Sequence, residues 1–142
     1  MLLAIDPGES SGWAIFFKGM LIACGLNGEP SPLPPKLDLL VIEEPRIYPG
    51  GRTRRPADIM KVQASAHHWR GKLEARCAEV RMIAPRTWKG TIDGDIVCAR
   101  TLAKLDPGER QVFDDAMHGV AKRKQHNVLD AIGLGLWVSG RK

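Results

Sequence analysis

Two apolar runs in the sequence end on acids in the same way, Ile5-Asp6-Pro7 and Ile42-Glu43-Glu44-Pro45. An acid at the carboxyl end of a buried strand faces the crevice where open α/β sheets bind ligands. If the two strands are parallel neighbours, their ends lie ~4.8 Å apart. Carboxylates that close repel unless one is protonated or a cation lies between them. A third acid, Asp130, sits near the start of the last helical segment. Asn127 precedes it by three residues and His126 by four, so both lie on nearly the same helix face. Three carboxylates from separate elements meeting at one point suit magnesium or manganese, which prefer hard oxygen donors. Each acid also has a plainer reading. A strand-end acid serves as a turn former or helix cap, and Asp130 as a solvent-facing or dipole-complementing helix acid. Glu44 reads as a supporting or surface residue. The metal reading rests on the three acids together.

The elements that must position these acids follow from the hydrophobic pattern. Residues 2–5 form a short unbroken apolar run, expected to be a strand buried on both faces. Residues 12–17 and 20–24, with Lys18-Gly19 between them, complete an antiparallel three-strand meander. A proline-rich surface connection at 29–35 leads to a fourth strand at 39–42. After a Gly/Pro/Arg loop, Ile59, Val62, Ala66, Trp69, Leu73, Cys77 and Val80 recur at spacings of three and four. That stripe predicts a long amphipathic helix over about residues 57–78, with Val80 opening a strand that Pro85 stops. Further helices are expected at 95–105, from about Gly108, and from Gln125 to Ser139. Gly133 and Gly135 inside the last one each cost ~1 kcal/mol against alanine, a cost that close helix-on-sheet packing would explain. Trp13 and Trp137 are expected in the core, Trp69 in the core or an interface, and His67-His68 on the surface. The fold class is thus α/β, a mixed five-stranded sheet flanked by helices.

The chain has 142 residues, enough to bury a core as one domain over residues 1–142. Cys24, Cys77 and Cys98 are odd in number and form no CxxC pair, which argues against a disulfide framework and for a reducing compartment. Residues 1–6 lack a basic n-region and their apolar run is too short for a signal peptide, so a cytosolic location is expected. No stretch reaches membrane-spanning length. The net charge is +5, and its placement matters more than its size. Arg46, Arg52, Arg54 and Arg55 fall within 45–57, where there is no acid, and Lys122-Arg123-Lys124 form a second cluster before Arg141-Lys142. Clustering of this kind suits a polyanion, and equally a solvated basic surface.

The segment 3–8 (LAIDPG), followed by Ser11-Gly12-Trp13-Ala14, resembles the opening strand and hairpin of RuvC-type Holliday junction resolvases. Val41-Ile42-Glu43-Glu44 is similar to their second acidic strand, Leu129-Asp130-Ala131-Ile132 to their final acidic helix, and the 85–90 stretch (PRTWKG) to their proline-to-lysine segment. These segments span almost the whole chain, which is shorter than typical bacterial members and in keeping with a phage or prophage origin. The resemblance implies a ribonuclease H-like fold, with Asp6, Glu43 and Asp130 as metal ligands. The family supplies an acid or histidine one turn before the final aspartate; here Asn127 stands there, beside His126. It also implies hydrolysis of phosphodiester bonds in Holliday junctions or other branched DNA, with two magnesium or manganese ions and a 5′ phosphate product. The DNA contacts expected are Arg46, Arg52, Arg54, Arg55, Lys89, Lys122, Arg123 and Lys124, with Tyr48 able to stack on an unpaired base. A junction has near two-fold symmetry, so a homodimer is expected. The alternatives are a nuclease of the same fold acting on forks, flaps or single strands, and a non-catalytic structure-specific DNA-binding protein.

Overall fold

The computed structural model describes residues 1–46 and 55–141. The expectations for Arg52, Arg54 and Tyr48 therefore lie outside the described residues. Strand β1 (Leu2–Asp6) pairs antiparallel with β2 (Gly12–Phe17), and β2 with β3 (Met20–Leu26). Lys18 and Gly19, both at positive φ, make the turn between β2 and β3, the backbone that a two-residue hairpin demands. Strand β4 (Leu37–Glu43) lies parallel to β1, and β5 (Cys77–Ile83) parallel to β4. The order β3-β2-β1-β4-β5 is the ribonuclease H-like mixed sheet that the sequence predicts.

Helix α1 (Pro56–Leu73) covers one face of the sheet. There Ala66, Trp69 and Leu73 pack with Leu3, Ile5, Trp13, Leu40 and Ile42. The other face carries α4 (Pro107–Ala116) and α5 (Lys122–Val138), with α3 (Gly94–Lys104) packed on α5. A short helix, α2 (Pro85–Trp88), follows β5 directly. Strand alternation now decides where the acids point. Because Leu3, Ile5, Leu40 and Ile42 fill the α1-side core, Asp6 and Glu43 emerge on the α5 side. The register Ile5↔Ile42 sets them at adjacent strand ends.

Three expectations need correction. The long helix stops at Leu73 and passes through a 3-10 turn, Glu74–Arg76; Cys77 and Val80 belong to β5. Their helical spacing is a coincidence of sequence, overridden when the segment pairs with β4 (Leu37↔Cys77, Leu40↔Val80). The last helix begins at Lys122, before Gln125, since three basic residues with good helix propensity extend it. Trp137 is only half-buried, whereas Trp13 and Trp69 are in the core. His67 and His68 are exposed as expected, and all three cysteines are free.

Candidate functional site

Asp6 closes β1 and is 8% exposed; Glu43 closes β4 and is 9% exposed. Helix α5 brings in the third acid, and glycine determines how closely it approaches. Gly12 pairs with Asp6 across the hairpin. A Cβ at Gly12 would sit 2.0 Å from the Asn127 carbonyl oxygen, so the first turns of α5 rest directly on the backbone of β2. Gly135 similarly admits the Phe16 ring, with a Cβ there only 2.1 Å from it, which is the helix-on-sheet packing predicted for it. Gly133 differs. A Cβ there would meet Thr101 Oγ1 at 2.8 Å and the Trp88 ring at 2.9 Å, so it accommodates α3 and α2 rather than the sheet.

The segment after β5 supplies the cation. Pro85 stops the strand and starts α2, whose end carries Trp88 and then Lys89 toward the carboxylates. Lys89 Nζ lies 3.0 Å from Asp130 Oδ2, 3.2 Å from Glu43 Oε2 and 3.4 Å from Glu43 Oε1. Trp88 Nε1 donates to Glu43 Oε2 at 2.8 Å. Burial opposes the Lys89 charge, but Glu43, Asp130 and Asp6 outweigh it and hold the ammonium above the usual lysine range. Burial pushes the Glu43 carboxyl up. Lys89 opposes this, Asp130 adds to it, and the hydrogen bonds from Trp88 and Lys89 do not reverse it. Glu43 and Asp130 thus share one ammonium, whose charge Asp6 also feels.

The donor chemistry of this centre is of the kind a divalent ion takes. The donors are hard carboxylate oxygens, and the ammonium between Glu43 and Asp130 is a stand-in for a cation. Among the described residues, no group of three or more His, Cys, Asp or Glu side chains is placed so that it could hold a metal ion. Lys89 Nζ lies between Glu43 and Asp130 instead. Cys98 on α3 feels the same field. Burial first, then Asp130, Asp95 and Asp6, push its thiol up to about 11 although Lys89 pulls the other way. It is therefore no thiolate donor at neutral pH.

The remaining sequence candidates divide. His126 is exposed, and its Nδ1 contacts the Arg123 carbonyl of its own helix rather than the carboxylates. Asn127 is half-buried, with its backbone against Gly12. Arg46 and Arg55 are exposed, Arg46 paired with Glu44 at 3.0 Å. Lys122, Arg123 and Lys124 are exposed in the first turn of α5. Lys89, expected among the DNA contacts, lies within the carboxylate centre because two acids hold it there. Arg141, counted with the basic tail, is bound to Glu109 instead. Sequence reasoning missed Trp88; its one signal was a tryptophan directly before a lysine in a segment opened by proline. Behind Asp6, the 7–11 turn is tied to α1. Trp69 Nε1 donates to Ser11 Oγ at 3.0 Å and Ser65 Oγ to the Gly8 carbonyl at 3.2 Å.

No protein-family model matches the sequence, and no curated protein matches it. Among solved structures the chain is similar to T. thermophilus RuvC in complex with Holliday junction substrate. The two share 15% identity over 95% of this chain and 90% of that one, with a TM-score of 0.45. A likeness of that grade assigns no function.

Proposed function

We propose that this chain, as one nuclease domain over residues 1–142, is a divalent-metal-dependent endonuclease. It hydrolyses phosphodiester bonds in branched DNA, four-way junctions foremost. One observation carries the reading. A strand-end glutamate and a helix aspartate grip a single ammonium within reach of a second strand-end acid, at the mouth of a ribonuclease H-like sheet. Asp6, Glu43 and Asp130 would hold magnesium or manganese, two ions in the full proposal. Bound there, such ions supply Lewis-acid activation of water and of the scissile phosphate. Lys89 offers a compact charge with three donors, suited to a phosphate oxygen. As the residue completing the site we favour Asn127 over His126, since Asn127 packs beside Gly12, the partner of Asp6, and the His126 ring is engaged by Arg123.

The basic turn Lys122–Lys124 begins two turns before Asp130 on the same helix, and with Arg46 and Arg55 it suits a DNA backbone. Arg52 and Arg54 extend the same run in sequence. A junction needs two matched cuts, so a homodimer belongs to the proposal, acting in the cytosol of a bacterium or phage-infected host. No described helix is long and apolar enough to cross a membrane.

The test sets a synthetic four-way junction beside a fork and a plain duplex, in magnesium or manganese, with the parent protein and Asp6→Asn. Preferential junction cutting that leaves 5′ phosphates, absent in the mutant, is the expected result. Equal rates on the three substrates would reject the junction preference, and an equally active mutant would reject the site. A second reading, a non-catalytic junction-binding protein, draws on Lys89 already standing between Glu43 and Asp130. Junction binding without cleavage in either metal would select it.

A further inference from the structure

We propose that Trp88 is the positioning residue for Glu43, and that Gly133 makes the helix bearing Asp130 set where Glu43 points. The inference rests on the metal-centre reading above. Glu43 ends a strand and is buried on the α5 side of the sheet, and an ion needs one of its oxygens held in place. Trp88 Nε1 donates to Oε2 at 2.8 Å, and Lys89 Nζ lies 3.2 Å from Oε2 and 3.4 Å from Oε1, so the indole fixes the rotation of the carboxylate beside the ammonium. The indole in turn is fixed from two sides. Its ring lies against Gly133, where even a methyl group would come within 2.9 Å of it, and Lys89 Nζ sits 5.0 Å from its centroid. Gly133 is one turn after Asp130 on α5. The same helix therefore delivers one carboxylate directly and orients the second through an indole. Partners of this kind hold a ligand's orientation, and losing one weakens metal binding by about 10- to 100-fold.

The test uses the intact chain and two readouts other than cleavage. Manganese binding is measured by calorimetry on the parent, Trp88→Phe and Gly133→Ala. Phenylalanine keeps an aromatic ring but removes the N–H and the Cζ3–Cη2 edge that meets Gly133. Both variants are expected to bind manganese about 10-fold more weakly or worse. In parallel, nitrogen–proton spectra follow the indole resonances of the four tryptophans. Glu43→Gln and Gly133→Ala should each move the Trp88 resonance most. A parent that binds no manganese would overturn the metal reading and this inference with it. A parent that binds, with Trp88→Phe binding equally well, would overturn the positioning role alone. If Trp88→Phe does not fold, a Trp88 resonance left in place by Glu43→Gln overturns it independently.

Discussion

Among the described residues, the carboxylate centre and the Glu109–Arg141 pair both bury acid–base contacts, and they behave oppositely. At the carboxylate centre, Glu43 and Asp130 share Lys89, and the Glu43 carboxyl is pushed up by burial. At the far side of the α5 face, Glu109 meets Arg141. There too burial pushes upward, but hydrogen bonds from Arg141 and from the Leu21 and Asp106 amides win and hold Glu109 below the usual carboxylate range. The difference is one of supply. Glu109 Oε1 accepts from Leu21 N at 2.8 Å and Arg141 Nη1 at 2.5 Å; Oε2 accepts from Asp106 N at 3.0 Å and Arg141 Nη2 at 2.8 Å. Arg141 also donates to the Gly19 and Lys104 carbonyls, clasping the β2–β3 turn, the end of α3 and the start of α4 together. A carboxylate whose lone pairs are met by fixed donors is structural. Glu43, by contrast, is met by one indole N–H and by an ammonium that it shares with Asp130, and its carboxyl stays raised.

The largest test replaces acid by amide at each place. Glu43→Gln is expected to slow junction cleavage about 100-fold or more, since a lost metal ligand removes several kcal/mol of transition-state stabilisation at about 1.4 kcal/mol per tenfold. Glu109→Gln should leave single-turnover cleavage within about twofold at a temperature where both proteins are folded. Comparable losses at both positions would erase the distinction.

Stability should show the reverse. Glu109→Gln keeps the shape but removes the charge that a bidentate arginine faces, and the Arg141 side is partly open to water. We expect a loss of about 2 kcal/mol, below that for a fully buried pair. Urea denaturation of the metal-free proteins measures it. A change under about 0.5 kcal/mol would show that the clasp is not structural.

The pH dependence then separates the two acids by sign. Glu109 titrates lower in the fold than when unfolded, so its stabilisation is complete above the ordinary carboxylate range and is lost as pH falls through its folded value. Glu43 titrates higher in the fold. Its contribution is therefore most favourable below the ordinary carboxylate range and declines as pH rises toward its folded value. Metal-free stability curves of parent minus Glu109→Gln should rise with pH, and those of parent minus Glu43→Gln should fall. Two slopes of the same sign would break the comparison.

Much of this was legible in the sequence where one pattern had one structural meaning. Unbroken apolar runs ending on an acid and proline gave β1 and β4, and those ends fixed Asp6 and Glu43. The end of α1 was not legible, because Cys77 and Val80 fit a helical stripe as well as a strand and only pairing with β4 decides. Lys89 and Trp88 were obscured for another reason. A four-residue helix has no periodicity to read, and a lysine drawn inward by two distant carboxylates looks like any surface lysine. Arg141 was hidden likewise, its partner lying 32 residues away. The Asp106–Glu109 capping box that prepares that partner follows the local D-x-x-E pattern and was readable in principle.

The smallest effect bears on which basic residues face DNA. Lys124 is exposed in the first turn of α5, on the helix that carries Asp130, whereas the Arg141 guanidinium is spent on Glu109 and two carbonyls. Each phosphate neutralised on duplex DNA adds about 0.9 to the slope of log affinity against log salt. Lys124→Gln should therefore lower that slope for junction binding by about 0.9 while leaving the urea midpoint unchanged. Arg141→Gln should move the midpoint and leave the slope alone. Fluorescence anisotropy across a salt series reads both slopes on the same labelled junction, with the DNA in calcium so that binding is seen without cleavage. If Arg141→Gln lowered the slope as much as Lys124→Gln, the clasp would have to open onto DNA, and its arginine would belong with the basic turn rather than with Glu109.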